Sequence, residues 1–331
     1  MPMKCVVYSS QYKDVWNDTV HRSRNATFLH LREYMDYHAD RFVDVSLLFF
    51  NDKEKCLACL AATFQKETAT ISSHAGLTYG GLLLTPEATS EVVRQMLVLA
   101  AEYFLSLGCK RLIYKPIPHI YHSIPAEEDL YWLFRSGAEI KARAISTTIS
   151  LFHPLPLSKL RRRKVAQATS HAFVCDMNGA KSSEEWQSFW EILHEVLATR
   201  HDTVPVHNCE EMLMLHKKFP NEIRLFTVKN NQSLIVGGCV IFETATTAHA
   251  QYIAVNESGR NGGALDLLFS ELIAYYRERG KNYFDFGIST EQGGRILNEG
   301  LIFQKEGFGG RAVCYDIYEV DLQKLKTIAE R

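Results

Sequence analysis

Apolar and polar positions alternate along this chain in two periods, and the order of those periods is used twice. Residues 43–50 (VDVSLLFF) read as a strand, the polar turn NDKEK follows, and residues 57–64 and 67–73 read as two more strands. A glycine-rich stretch, AGLTYGG with Gly76, Gly80 and Gly81, leads into residues 87–107. There Val92, Val93, Met96, Leu97, Ala100, Phe104 and Leu107 recur at helical spacing. Gly108 is placed to stop that helix as a left-handed cap, and KRLIY reads as the next strand. The second half repeats the order. IRLFTV, the turn KNNQ, LIVGGCVIF and HAQYIAV give three strands, and the glycine-rich NESGRNGG follows. A helix over 264–279 carries Leu265, Leu268, Leu272, Ile273 and Tyr276 on one face, then come Gly280 and the strand NYFDFGI. The first strands are offset by about 177 positions and the helix-ending glycines by 172. The chain therefore reads as α/β (α+β), two copies of one β-β-β-loop-helix-β unit.

Between the copies, Pro154 and Pro156 hold the chain extended. SKLRRRKVAQATSH then predicts a helix with Ser158 as its N-cap. A second amphipathic helix is predicted over 183–199, through Trp186, Phe189, Trp190, Leu193 and Leu197. This break predicts domains at 1–155 and 156–331.

Composition changes the picture only at the extremes. The 331 residues are 46% hydrophobic and 23% charged, which excludes a disordered chain, a collagen and a coiled-coil rod. Lys plus Arg is 37 against 38 Asp plus Glu, a balance unlike that of proteins that coat nucleic acid. Locally, Lys159, Arg161, Arg162, Arg163 and Lys164 form a basic run, suited to tRNA or to an anionic lipid-linked substrate, or simply a solvated helix face. The eight cysteines are scattered through mostly apolar runs and predict reduced thiols. Only Cys56 and Cys59 are close; three apart on a strand, their thiols should diverge, so the pair reads as core. No metal site is expected. MPMKCVVYSS lacks a signal-peptide apolar region and no run approaches the ~18 apolar residues of a membrane span, so a cytoplasmic location is expected.

Candidate chemistry concentrates late in the chain: 11 of the 19 glycines fall between residues 259 and 310. Strand, glycine-rich turn and helix start form a cradle in which backbone N–H groups and the helix dipole favour an anion. Arg260, Asn261, Gly262, Gly263 and Ala264 occupy that turn. Arg260-x-x-Gly263 resembles the pyrophosphate-loop motif of the GNAT superfamily of N-acyltransferases, with Leu265 where that motif has Gly or Ala. The resemblance implies two tandem GNAT-like domains, each a mixed, mostly antiparallel sheet flanked by helices, and acyl-CoA as co-substrate bound by residues 260–264.

The run LNEGLIFQKEGFGG resembles the closing segment of the Fem-type aminoacyl transferases, which are double-GNAT proteins. Their block, aromatic-Lys-x-Gly-Phe, is matched at Lys305, Gly307 and Phe308 and not at Gln304. The resemblance implies aminoacyl-tRNA as a second possible donor. It places Lys305 at the reaction centre, stabilising a developing oxyanion or the donor's phosphate; the plain alternative is a salt-bridged surface lysine. Asp285, between Phe284 and Phe286, is a carboxylate in a strand that should be buried, which requires a partner.

An attacking amine must lose a proton, and histidine is the natural acceptor near neutral pH. His207, with Arg200 and His201 in the loop ATRHDTVPVHN, is one candidate. His249 is another, sharing a strand face with Gln251 just before the phosphate loop. In the first half, His74, Tyr79, Lys115, Tyr121 and His122 surround glycines and prolines as an acceptor pocket would, or merely shape a loop around a helix at 126–136. The first glycine-rich loop has no arginine beside it, so the first copy is expected to serve acceptor recognition or support. The expected activity is acyl transfer to a primary amine, with a cell-envelope or polysaccharide precursor as candidate acceptor. The alternative is a non-catalytic binding module that keeps the fold.

Overall fold

The computed structural model describes residues 3–201 and 204–330, with side chains at all of these except 38, 200, 201, 329 and 330. The chain forms two compact units. One is Met1–Ala144 with Thr290–Ile296 and Cys314–Arg331; the other is Ile145–Ser289 with Leu297–Val313. Residues 145–155 thus lie with the second unit rather than the first, and two later stretches return to the first. A single cut at 155/156 does not describe the units.

Within each unit the repeat takes physical form. In the second, Ile223–Lys229, Ile235–Glu243 and Thr247–Val255 run as an antiparallel meander, and the helix Ala264–Glu278 crosses to Tyr283–Ile288, which pairs parallel with Thr247–Val255. The short strand Val174–Asp176 extends one side, and the end of the strand Glu139–Ser150 pairs antiparallel with Tyr283–Ile288 on the other. In the first unit the helix Ser90–Ser106 crosses to Arg111–Tyr114, parallel to Thr70–Ser72. The two parallel pairs start at Thr70↔Arg111 and Thr247↔Tyr283, offsets of 177 and 172. Both crossover helices end at a left-handed glycine, Gly108 and Gly280.

Three local expectations differ. The first-half glycine-rich loop does not run straight into the helix. Leu82–Leu84 forms an extra strand against Cys56–Leu60, because three consecutive leucines, all buried, give no period to read. The first two strands bend and divide between two sheets, as Val43–Asp44 with Thr63–Gln65 and Leu47–Phe50 with Cys56–Leu60. Finally, the thiols of Cys56 and Cys59 converge. A bulge, in which Phe50 pairs with Cys56 and Phe49 with Ala58, shifts the alternation by one at Leu57. Both cysteines are buried, as expected, but the hydrogen bond to Cys59 brings the Cys56 thiol down to about 7, while burial pushes Cys59 up.

In the first unit, Val93, Met96, Leu97, Ala100 and Phe104 of the crossover helix pack on Leu47, Phe49 and Leu60, and Val320, Leu322, Leu325 and Ile328 from the far end of the chain complete that core. In the second, Leu268, Phe269, Leu272 and Tyr276 pack on Phe226, Ile241, Phe284 and Phe286. Ser158 caps the helix Lys159–Ser170, its hydroxyl accepting from Arg161 N. Trp186, Phe189, Trp190 and Leu193 are the buried face of Ser183–His201. Among the described residues no helix is long and apolar enough to cross a membrane.

Candidate active site

The second unit's parallel pair stays together only from Thr247↔Tyr283 to His249↔Asp285. Beyond that point each strand follows its other neighbour, and a cleft opens between them. Two bulges mark the vertex. On one strand, Val240 pairs with Tyr252 and Ile241 with Ala250, leaving Gln251 without a cross-strand partner. His249 and Gln251 therefore do not share a face by simple alternation. On the other strand, Phe286 and Gly287 together oppose Thr147, and Gly287 takes a left-handed conformation, φ 76°.

The cleft has a volume of about 340 Å³. Phe269, Phe286 and Phe308 make its apolar wall, Ile253–Val255 one side, Arg260 and Gly263–Asp266 another. Lys305 also lines it. This lysine sits on the helix Glu299–Glu306 and is 6% exposed, which excludes the surface salt bridge. Its Nζ donates to the carbonyls of Gly287 and Ile288, both at 2.8 Å. Burial pushes it down to about 8, with the Asp285 charge pulling the other way. An ammonium carries three N–H donors, so one remains beyond the two carbonyl bonds.

Asp285 is fully buried. Its Oδ1 accepts from Ser146 Oγ (2.6 Å) and Thr148 Oγ1 (2.7 Å), and Oδ2 lies 2.7 Å from His249 Nδ1. Burial alone would raise its pKa; the hydrogen bond and charge of His249 and the two hydroxyls outweigh that and hold the carboxyl below its usual range. The expected partner for a buried carboxylate is present. Lys305, His249 and Asp285, far apart in sequence, meet around Gly287. His207 is buried elsewhere, its Nδ1 2.6 Å from the Tyr252 hydroxyl and its carbonyl accepting from Trp190 Nε1; neither it nor His249 lines the cleft directly, but His249 lies against Gly287, whose carbonyl holds the cleft-lining Lys305. The side chains of Arg200 and His201 lie outside the described residues.

The candidate phosphate loop forms a short helix, Glu257–Gly262, and Gly263 joins it to Ala264–Glu278 at φ 84°. Arg260 reaches the Val255 carbonyl at 3.2 Å, and the Asn261 carbonyl accepts from Gln167 Nε2. The glycines are required by packing. A Cβ on Gly262 would run into the Phe173 ring, and one on Gly263 would lie 2.8 Å from the Lys164 carbonyl. Helix Lys159–Ser170 covers this turn. From it, half-buried Arg161 pairs with Asp266 at 2.6 Å, so the basic run is not wholly a solvated face. Burial raises the Asp266 pKa against the pull of Arg161 and Lys164. A diphosphate here would meet Arg260 and the helix start beside the Arg161–Asp266 pair. The Arg161–Asp266 pair, 105 residues apart, leaves no mark in the sequence pattern.

In the first unit the corresponding pair stays closed. Ser73 N donates to Ile113 O, Lys115 N to Ser73 Oγ and Gly80 N to Lys115 O. The Tyr79 and Tyr121 rings pack tilted with centroids 4.6 Å apart, the Tyr121 hydroxyl is 2.8 Å from that of Tyr315, and Lys115 Nζ donates to the Leu77 carbonyl. His74 packs on Phe42, and His122 Nε2 is 2.9 Å from the Ile117 carbonyl. His74, Tyr79 and Tyr121 are buried, and burial brings Lys115 down to about 8. Among the described residues no group of three or more His, Cys, Asp or Glu is placed to hold a metal ion.

Comparison with known proteins bears on the fold. Residues 158–292 match the acetyltransferase (GNAT) domain family. No curated protein matches the sequence. Among solved structures, FemX superposes with a TM-score of 0.68 at 12% identity, over 99% of this chain and 100% of that one. The L-PGS of Bacillus licheniformis gives 0.56 at 12% over 90% and 95%, and a tandem GNAT protein of clavulanic acid biosynthesis gives 0.50 at 11% over 97% and 99%. At such identities the likeness is one of fold.

Proposed function

We propose that this chain, a GNAT-superfamily protein with a Fem-like tandem fold, moves an acyl or aminoacyl group from a phosphate-containing donor to a primary amine. The observation that carries the reading is Lys305, a buried lysine lining the cleft at the vertex of the splayed strands. Two of its donors are fixed on backbone carbonyls and the third is left for a reacting group. With a pKa of about 8 it is mostly an ammonium at neutral pH. When the amine nitrogen attacks the donor's carbonyl carbon, charge develops on the carbonyl oxygen. A preoriented cation in an apolar cleft stabilises that charge with little reorganisation. Arg260 and the start of helix Ala264–Glu278 face the same cleft and suit the donor's phosphate.

Asp266 bears on the choice of donor. A diphosphate places several negative charges beside that carboxylate. The aminoacylated end of a tRNA has one phosphate per nucleotide and crowds it less. This supports aminoacyl-tRNA over acyl-CoA. The first unit, its strand pair closed, is assigned to acceptor recognition or support, with His74, Tyr79, Lys115, Tyr121 and His122 as its candidate residues. His207 and Gln251 are secondary candidates, for proton acceptance and acceptor contact.

The test is donor capture by the purified full-length protein. Copurifying tRNA whose binding falls in Arg260→Ala supports the aminoacyl reading; tight coenzyme A binding lost in the same variant supports the acyl-CoA reading. If neither donor binds, the fold serves as a non-catalytic binding module. If Lys305→Ala leaves transfer unchanged, the assignment of Lys305 is wrong.

A further inference from the structure

We infer that His249 is the base that takes the amine's proton and that Asp285 is the positioning residue that sets its tautomer; this rests on the transfer reaction proposed above. An ionised carboxylate only accepts hydrogen bonds. Ser146 and Thr148 both donate to Asp285 Oδ1, leaving Oδ2 toward the ring. His249 must therefore carry its proton on Nδ1, and in the neutral ring the basic lone pair is on Nε2. The run AISTTIS places Ser146 and Thr148 two residues apart, on one face of the strand that flanks Asp285.

The bulge then gives the ring its setting. A Cβ on Gly287 would stand 3.4 Å from His249 Cε1 and 4.0 Å from Nε2, in van der Waals contact with the ring edge that bears the lone pair. The carbonyl of that same Gly287 holds Lys305 Nζ. One left-handed glycine thus links the proposed base and the proposed oxyanion donor at the vertex where the strands part. Asp285, from the parallel strand, faces the ring at Nδ1, and Lys305 is held on the carbonyl of Gly287.

The step balances. The amine nitrogen bonds to the acyl carbon while the carbonyl π pair moves to oxygen. The proton leaving nitrogen goes to Nε2. Collapse of the adduct expels the donor's oxygen or sulfur, which takes that proton back from the imidazolium.

The test begins with nitrogen-15 NMR of histidine-labelled full-length protein. The neutral His249 ring is expected with Nδ1 protonated and Nε2 bare, and Asp285→Asn is expected to change that tautomer. A ring protonated on Nε2, or a tautomer unmoved by Asp285→Asn, overturns the inference. Because Asn at a buried site can disturb the strand, Ser146→Ala with Thr148→Val is the second variant; it leaves the carboxylate and is expected to shift the Nδ1 signal without unfolding. No shift in a folded double variant counts against the inference. With aminoacyl-tRNA and an amine acceptor, His249→Gln is expected to lower kcat by roughly 100-fold or more with KM little changed. An unchanged kcat overturns the base assignment. If the wild-type protein binds no donor, the transfer reading fails, and the base role with it, even where the NMR shows the expected tautomer.

Discussion

Lys305, the proposed oxyanion donor, has a thermodynamic signature that needs no substrate. Its proton is held at about 8 in the folded chain and at the ordinary 10.5 when unfolded. Below pH 8 both states carry the charge, and the folded state bears the full cost of burying it. As pH rises past 8 the folded chain releases the proton first, and stability rises until about 10.5. Linkage sets the gain from this one group at about 2.5 kcal/mol between pH 7 and 10. Lys305→Met removes the ionisable group while keeping an unbranched chain in the cleft. It also removes two hydrogen bonds from a charged donor, each worth about 1.5–3 kcal/mol. At pH 7 the two effects oppose. The decisive quantity is therefore the difference between wild type and variant as a function of pH, measured by urea unfolding followed by tryptophan fluorescence. Wild type should gain about 2.5 kcal/mol on the variant from pH 7 to 10. Lys115, also near 8, contributes equally to both proteins and cancels. A difference that stays flat to within ~0.5 kcal/mol would show that Lys305 is not desolvated as its place in the cleft requires.

Other perturbations test the surroundings. Gly263→Ala places a Cβ at φ 84° and 2.8 Å from the Lys164 carbonyl, and should cost at least ~1–3 kcal/mol in urea unfolding. Asp266→Ala leaves Arg161 unpaired in a half-buried site and should cost about 3 kcal/mol, while Asp266→Leu with Arg161→Met should recover most of it. If Asp266 disfavours a diphosphate, Asp266→Asn should bind coenzyme A more tightly by calorimetry; unchanged affinity argues that the carboxylate plays no part in donor choice. In the first unit, burial raises Asp129 to about 6, so its cost to the fold grows as pH rises from 3.8 past 6. Asp129→Asn should therefore raise stability at pH 7.5 by ~1–2 kcal/mol and leave it little changed at pH 4.

The repeat was legible because it is written in periods of hydrophobicity, and the parallel-pair registers reproduce the offsets seen in the one-dimensional pattern. The burial of Asp285 followed from its phenylalanine neighbours. Its partners did not, since Ser146 and Thr148 lie about 140 residues away and hydroxyls in a strand carry no special signal. Bulges were the main blind spot. A single extra residue at Leu57 or Gln251 reverses which side chains share a face, and nothing in local composition marks it. The Gly262–Gly263 pair marks a loop whose glycines are also required by the close approach of Phe173 and the Lys159–Ser170 helix, which the sequence pattern does not reveal.

Because Val320, Leu322, Leu325 and Ile328 belong to the first unit's core, that unit cannot close while it is being made. As the ribosome proceeds, the strand Arg111–Tyr114 waits with the edge that residues 318–321 later occupy unpaired, through synthesis of the whole second unit. The nascent chain thus carries an unfinished sheet for some two hundred residues, a window in which a chaperone would find its target, and the emergence of residues 318–328 times the completion of the first unit.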